Sequence, residues 1–157
     1  MDMVLAKPAD ARRIAVMSRQ FVEGGLPGWS WNEARVGRRI RDPESVVVTA
    51  RLAADIAGAA IMHFAESSAH LSLLVVAPEH RRCGIGRRLV EWLEASARVA
   101  GTFVVSLEVR AANLAARSFY RRLGYRELVC LPRYYNGIET AVRMNRDLRC
   151  CRLQDTT

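Results

Sequence analysis

Arg81-Arg82-Cys83-Gly84-Ile85-Gly86-Arg87-Arg88 joins two segments of different period, and that junction limits the folds open to this chain. Upstream, Leu71-Ser72-Leu73-Leu74-Val75-Val76 is a short apolar run ended by Pro78, the pattern of a strand. Downstream, Leu89, Val90, Leu93 and Val99 recur near helical spacing among Arg88, Glu91, Glu94 and Arg98. A strand, a basic glycine turn and a helix together form an anion site. Glycines let the backbone approach and turn its N–H groups toward the ligand, and the helix N-terminus adds about half a positive charge. The chain is expected to grip a phosphorylated ligand here. No Lys-Ser/Thr follows the second glycine, so this is not a Walker loop. A third glycine is missing, which argues against a dinucleotide fingerprint.

The next segment reads Ser106-Leu107-Glu108-Val109-Arg110-Ala111-Ala112-Asn113, then Phe119-Tyr120-Arg121-Arg122-Leu123-Gly124-Tyr125, a strand followed by a helix that Gly124 stops. Arg133-Tyr134-Tyr135-Asn136-Gly137 leads into Ala141-Val142-Arg143-Met144, and Asn-Gly is the strongest short-range hairpin signal. Arg81-x-x-Gly84-x-Gly86, L-E-V-R-x-x-N-x-x-A, F-Y-x-x-L-G-Y and this closing hairpin, in that order, resemble the GNAT superfamily of acetyl-CoA-dependent N-acetyltransferases. Within it they most resemble the RimI-like, ribosomal-protein-alanine branch. The resemblance runs from about Leu71 to Leu148 and is loose before that.

The resemblance implies a site. Acetyl-CoA would be held by the backbone of Leu74, Val75 and Val76, on a strand that splays from its neighbour. Its pyrophosphate would lie on Arg81, Arg82, Cys83, Gly84, Ile85, Gly86 and Arg87, with Asn113 as a further contact and helix cap. Amide formation needs the amine deprotonated and the leaving thiolate protonated. Glu108, which shares a strand face with Ser106 and Arg110, is the expected base. Tyr120, a phenol that keeps its proton at neutral pH, is the expected acid. Tyr134, Tyr135 and Trp31 would line the acceptor groove, with Trp29 favoured as packing. His63, His70 and His80 show no ligand spacing; they read as strand or loop residues, and no metal is expected.

The rest of the chain frames these expectations. At 157 residues, half of them apolar, it suits one domain over 1–148 with a tail beyond Leu148. The expected order is β-α-α-β-β-β-α-β-α-β-β, a mixed α/β (α+β) fold around a largely antiparallel sheet. Its elements include a helix from Ala9 to Glu23, a second capped by Ser30 and Glu33, and strands Ser45–Leu52, Ile56–Ala65 and Ala69–Val76. No apolar stretch reaches the ~20 residues that span a bilayer, and no signal pattern opens the chain, so a cytoplasmic protein without membrane attachment is expected. Cys83, Cys130, Cys150 and Cys151 form no C-x-x-C pair and read as reduced thiols. Cys83, beside arginines at a helix start, is in the setting that activates thiols. The net charge of +8 rests on 23 arginines and Lys7, without the pattern of a nucleic-acid module, so no nucleic-acid partner is expected.

The acceptor follows from proton chemistry. A peptide α-amine has a pKa of about 7.7–8.0, whereas lysine at about 10.4 costs some 3–4 kcal/mol more to deprotonate. One carboxylate suits the former, which favours a peptide or protein N-terminus. Polyamines, amino acids, antibiotic amines and a non-catalytic acyl-CoA sensor are the alternatives, in a monomer or homodimer.

Overall fold

The computed structural model describes residues 1–26 and 30–150. Chain order is β1 (Asp2–Leu5), α1 (Ala11–Phe21), α2 (Glu33–Arg41), β2 (Ser45–Leu52), β3 (Asp55–Phe64), β4 (Ala69–Val76), α3 (Ile85–Val99), β5 (Val104–Arg110), α4 (Leu114–Arg122), β6 (Arg126–Tyr135) and β7 (Glu139–Asp147). These strands make a seven-stranded sheet in the order β1-β2-β3-β4-β5-β7-β6. Every neighbouring pair is antiparallel except β4 and β5. The expected mixed α/β order and largely antiparallel sheet are both present. No helix among the described residues is long and apolar enough to cross a membrane.

Two apolar cores lie on opposite faces of the sheet. Ile14, Met17, Val36, Ile61, Leu73 and Val75 pack under α1 and α2. Met62, Leu71, Leu89, Leu93, Leu107 and Met144 pack under α3 and α4. Leu71 and Leu73 share the parity of one strand face, yet they enter different cores. The cause is a bulge. β3 pairs Met62 with Leu71 and Ile61 with Leu73, which leaves Ser72 as the extra residue.

Several local expectations shift. A single 3-10 turn at Pro8–Asp10 precedes α1, because proline opens a helix easily while lacking a donor. α2 is capped by Asn32, whose side chain accepts from the Arg35 N–H, and Ser30 instead meets the Arg35 guanidinium. Val99 is 92% exposed at the end of α3, and Glu94 is buried in the stripe with Leu93 and Ala97. Arg146 crosses from β7 to place Nη1 2.7 Å from Glu94 Oε2, so the carboxylate is paired and can stay buried. The Asn136-Gly137 turn forms as expected, with φ of 51° and 70° and the Ile138 N–H donating to the Tyr135 carbonyl. Beyond β7, Arg149 is held by Asp147 at 2.7 Å; Trp29, Cys151 and most of the expected tail lie outside the described residues.

Candidate active site

The glycine turn fits an anion. Gly84 caps α3 at φ +77°, and Arg82 also takes a positive φ of 62°, so the backbone coils before the helix begins. Arg88 makes the first i→i−4 bond of α3, to Gly84 O, so the N–H groups ahead of it have no acceptor within the helix. A Cβ on Gly86 would sit 3.3 Å from the Phe119 ring, so glycine here lets α3 start against α4. Arg81, Arg82, Cys83 and Arg87 are exposed around the turn. Arg81 Nε donates to Val76 O at 3.2 Å and ties the end of β4 to the loop.

β4 and β5 part company. They pair only at Ala69↔Val105 and His70↔Ser106, whereas β5 stays paired with β7 from Val104 to Arg110 on its other edge. Leu74, Val75 and Val76 ladder on their other side, to Ala60, Ala59 and Gly58 of β3. The edge they turn toward β5 therefore has no ladder partner there. This is the splay expected of Leu74–Val76.

Glu108 lies at the top of that gap, on the α1/α2 face of β5. Its side chain is 8% exposed and both oxygens are engaged. Oε1 accepts from Arg143 Nε on β7 at 2.9 Å, and Oε2 is hydrogen-bonded to His70 Nε2 on β4. Burial pushes the carboxyl pKa up, but the hydrogen bonds and charges of His70 and Arg143 outweigh it and hold it below the ordinary value. No motif points to His70, because its partner lies 38 residues away in chain order. Only the parallel pairing of β4 with β5 brings the two together.

Tyr120 is buried, its ring edge-on to Phe119 at 5.0 Å and to Tyr125 at 5.7 Å. Burial, reinforced by Tyr135, raises its pKa and holds the proton on the phenol. Asn113 does cap α4, accepting from the Ala116 N–H at 3.1 Å. Tyr134 and Tyr135 stand edge-on at 5.0 Å beside the hairpin turn, and Tyr134 is exposed. In both, burial followed by nearby negative charge, Glu108 included, raises the phenol pKa. Trp31 departs from expectation. It is buried in the α1/α2 core, with the Arg35 guanidinium 3.8 Å from its ring centroid, rather than lining an open groove.

Two further residues organise this side. Arg110 donates to the Gly24 and Val22 carbonyls, both at 2.8 Å, fixing the end of α1 over β5. Glu23 is buried and accepts from Ser18 Oγ and from the Ser30 and Trp31 N–H groups, anchoring the entry to α2. Neither contact is legible in the sequence, since most of the bonds go to backbone groups of distant segments.

Comparison with known proteins bears on the whole chain. A profile described as the Acetyltransferase (GNAT) family matches residues 12–125. The N-alpha-acetyltransferase RimI of Mycobacterium tuberculosis is 34% identical over 145 residues, covering 88% of this chain and 87% of that protein. The matched segments span only 35%, 49% and 38% of three other curated relatives. The ribosomal-protein-S18-alanine N-acetyltransferase of Escherichia coli superposes with a TM-score of 0.82 at 24% identity, over 98% of this chain and 97% of that one. An aminoglycoside 6′-N-acetyltransferase complexed with coenzyme A gives 0.78 at 20% identity, over 94% and 97%. These two share the fold.

Proposed function

Since the chain belongs to the GNAT acetyltransferase family, we propose that it transfers the acetyl group of acetyl-CoA to a primary amine, the α-amine of a peptide or protein N-terminus. One observation carries this reading: a splayed β4–β5 edge has an anion-fitted helix start at one end and Glu108 at the other. Arg81, Arg82, Cys83, Gly84, Ile85, Gly86 and Arg87 would hold the pyrophosphate through backbone N–H groups and guanidinium charge. Leu74, Val75 and Val76 would bind the pantetheine arm along their unpaired edge, and Asn113 would be a further contact. The thioester supplies an activated acyl carbon. Glu108 serves removal of the amine proton, and Tyr120 gives its proton to the departing thiolate. Tyr134 and Tyr135 face the acceptor from the hairpin. The match to RimI of M. tuberculosis supports an α-amine, as does the lower cost of deprotonating one.

Thiol release from acetyl-CoA, measured on matched α-amine peptides, lysine peptides, polyamines and aminoglycosides, tests this directly. Turnover fastest on free peptide N-termini is expected. Turnover confined to polyamines or aminoglycosides would replace the acceptor class, and coenzyme A binding without turnover on any amine would leave a sensor. Tyr120→Phe should keep coenzyme A affinity and lose about 10²–10⁴ in kcat; unchanged turnover would make Tyr120 packing.

A further inference from the structure

Resting on that reading, we propose that His70 takes the proton of the acceptor ammonium at Nδ1, with Glu108 behind it as the group that orients and stabilises the ring. The sequence of exposures is the first reason. The His70 side chain is 39% exposed whereas Glu108 is 8% exposed, so an acceptor entering from solvent meets the imidazole first. The second is occupancy. Glu108 Oε2 is covered by the ring, and an ammonium approaching Oε1 meets the like charge of Arg143.

The third reason is the tautomer. An ionised carboxylate can only accept, so the hydrogen bond to Glu108 puts the ring proton on Nε2 and leaves Nδ1 as the acceptor nitrogen. Nδ1 lies 3.1 Å from Ser72 Oγ. That hydroxyl is also 3.5 Å from the His70 carbonyl, so it has a second acceptor when an amine displaces it. The bulge that leaves Ser72 unpaired lies directly beside this pair. The charged and titratable groups around the ring are Glu108 on β5, Arg143 on β7, and His63 on β3. His63 pairs in register with His70 and is itself engaged by Asp42, Arg39 and Ser45.

The step balances. An ammonium N–H bond breaks, its proton bonds to Nδ1, and the electron pair stays on nitrogen. That pair forms a C–N bond at the thioester carbonyl carbon as the C=O π pair moves to oxygen. Its return breaks the C–S bond, and the pair leaves on sulfur. Tyr120 protonates the thiolate, the surplus proton on the new amide nitrogen restores the phenol, and the imidazolium releases its proton to water. One ammonium and one thioester become one amide, one thiol and one proton.

His70→Gln tests it, because a glutamine amide can still donate to Glu108 but cannot take up a proton. Against the amine that wild type acetylates fastest, kcat/KM at pH 7 should fall about 10²–10⁴-fold while the KM for acetyl-CoA holds. The pH profile of kcat/KM should change shape with it, whereas a purely structural role would leave that shape unchanged. A measurement on the protein without substrates runs alongside: ¹⁵N–¹H spectra of the neutral His70 ring should show the proton on Nε2, a preference that Glu108→Gln weakens. Activity of His70→Gln within threefold of wild type, or a neutral ring protonated on Nδ1, would overturn the assignment while the transferase reading stands. Wild type inactive on every amine tested would sink the transferase reading and this assignment with it.

Discussion

Two carboxylates leave water on opposite faces of the sheet, and their partners differ. Glu94, on the α3 side, is 1% exposed, paired with Arg146 at 2.7 Å and approached by the Tyr125 hydroxyl at 3.4 Å. Gly124 makes room there, since a Cβ on it would lie 3.2 Å from Arg146 Nε. Glu108, on the α1/α2 side, shares its charge between Arg143 and a half-exposed histidine. Arginine holds its proton at any working pH, and burial with the Glu94 charge raises the Tyr125 pKa as well, so the first cluster is a fixed charge pair. The second contains an imidazole open to solvent and can exchange a proton. A buried carboxylate therefore signals chemistry only when a titratable neighbour connects it to the outside.

The largest expected effect tests the open cluster. Glu108→Gln should lower kcat/KM at pH 7 by about 10²–10⁴ with little change in unfolding midpoint, because the stranded His70 and Arg143 can turn to water. Raising the pH toward 9 should restore part of the loss on α-amine peptides, whose amine then deprotonates in solvent, and little on lysine peptides. Equal activity of variant and wild type at pH 6.5 would remove the contrast between the two clusters.

The sealed cluster should answer in stability. Arg146→Met strands Glu94 in the core and should cost about 3–5 kcal/mol in urea unfolding, whereas Arg146→Met with Glu94→Leu should recover most of it. Activity per folded molecule should not move. A loss below about 1 kcal/mol would mean that water reaches Glu94, and the two sites would then differ only in their partners.

These clusters also mark what was legible in the sequence. The α3 start was readable because glycine, proline and helical period act locally, and Ser45–Leu52 and Ala69–Val76 have their expected bounds. Glu108 and Tyr120 stood out through short motifs within one element each. His70 and Arg146 did not, since their partners lie 38 and 52 residues away and only sheet order joins them. The Ser72 bulge was equally hidden. An alternating pattern places Leu71 and Leu73 on one face, and register alone separates them. Trp31 was misassigned because a tryptophan near a groove and one in the adjoining core look alike in sequence.

A smaller effect comes with acid. The Glu108 carboxyl is held below its ordinary 4.5 in the folded protein, despite burial, by His70 and Arg143. A depressed folded pKa contributes stability that is present above the unfolded value and lost as pH falls through the folded one. Wild type should therefore lose more stability than Glu108→Gln between pH 7 and pH 3. Parallel acid limbs for the two proteins would mean that the pairing with His70 and Arg143 adds nothing to folding.

The smallest effect concerns the frame of the open face. α2 begins beside Trp31 and carries Arg35, and its first turn is satisfied by Asn32 rather than by the expected Ser30–Glu33 box. Asn32→Ala removes the acceptor of the Arg35 N–H and should cost about 1 kcal/mol, the usual size of a lost N-cap. Ser30→Ala removes only an exposed contact to the Arg35 guanidinium and should cost about half of that or less. Chemical denaturation of the two variants separates the assignments. If Ser30→Ala is the more costly, α2 starts two residues earlier in solution, and the entry to the acceptor side is framed by the capping box after all.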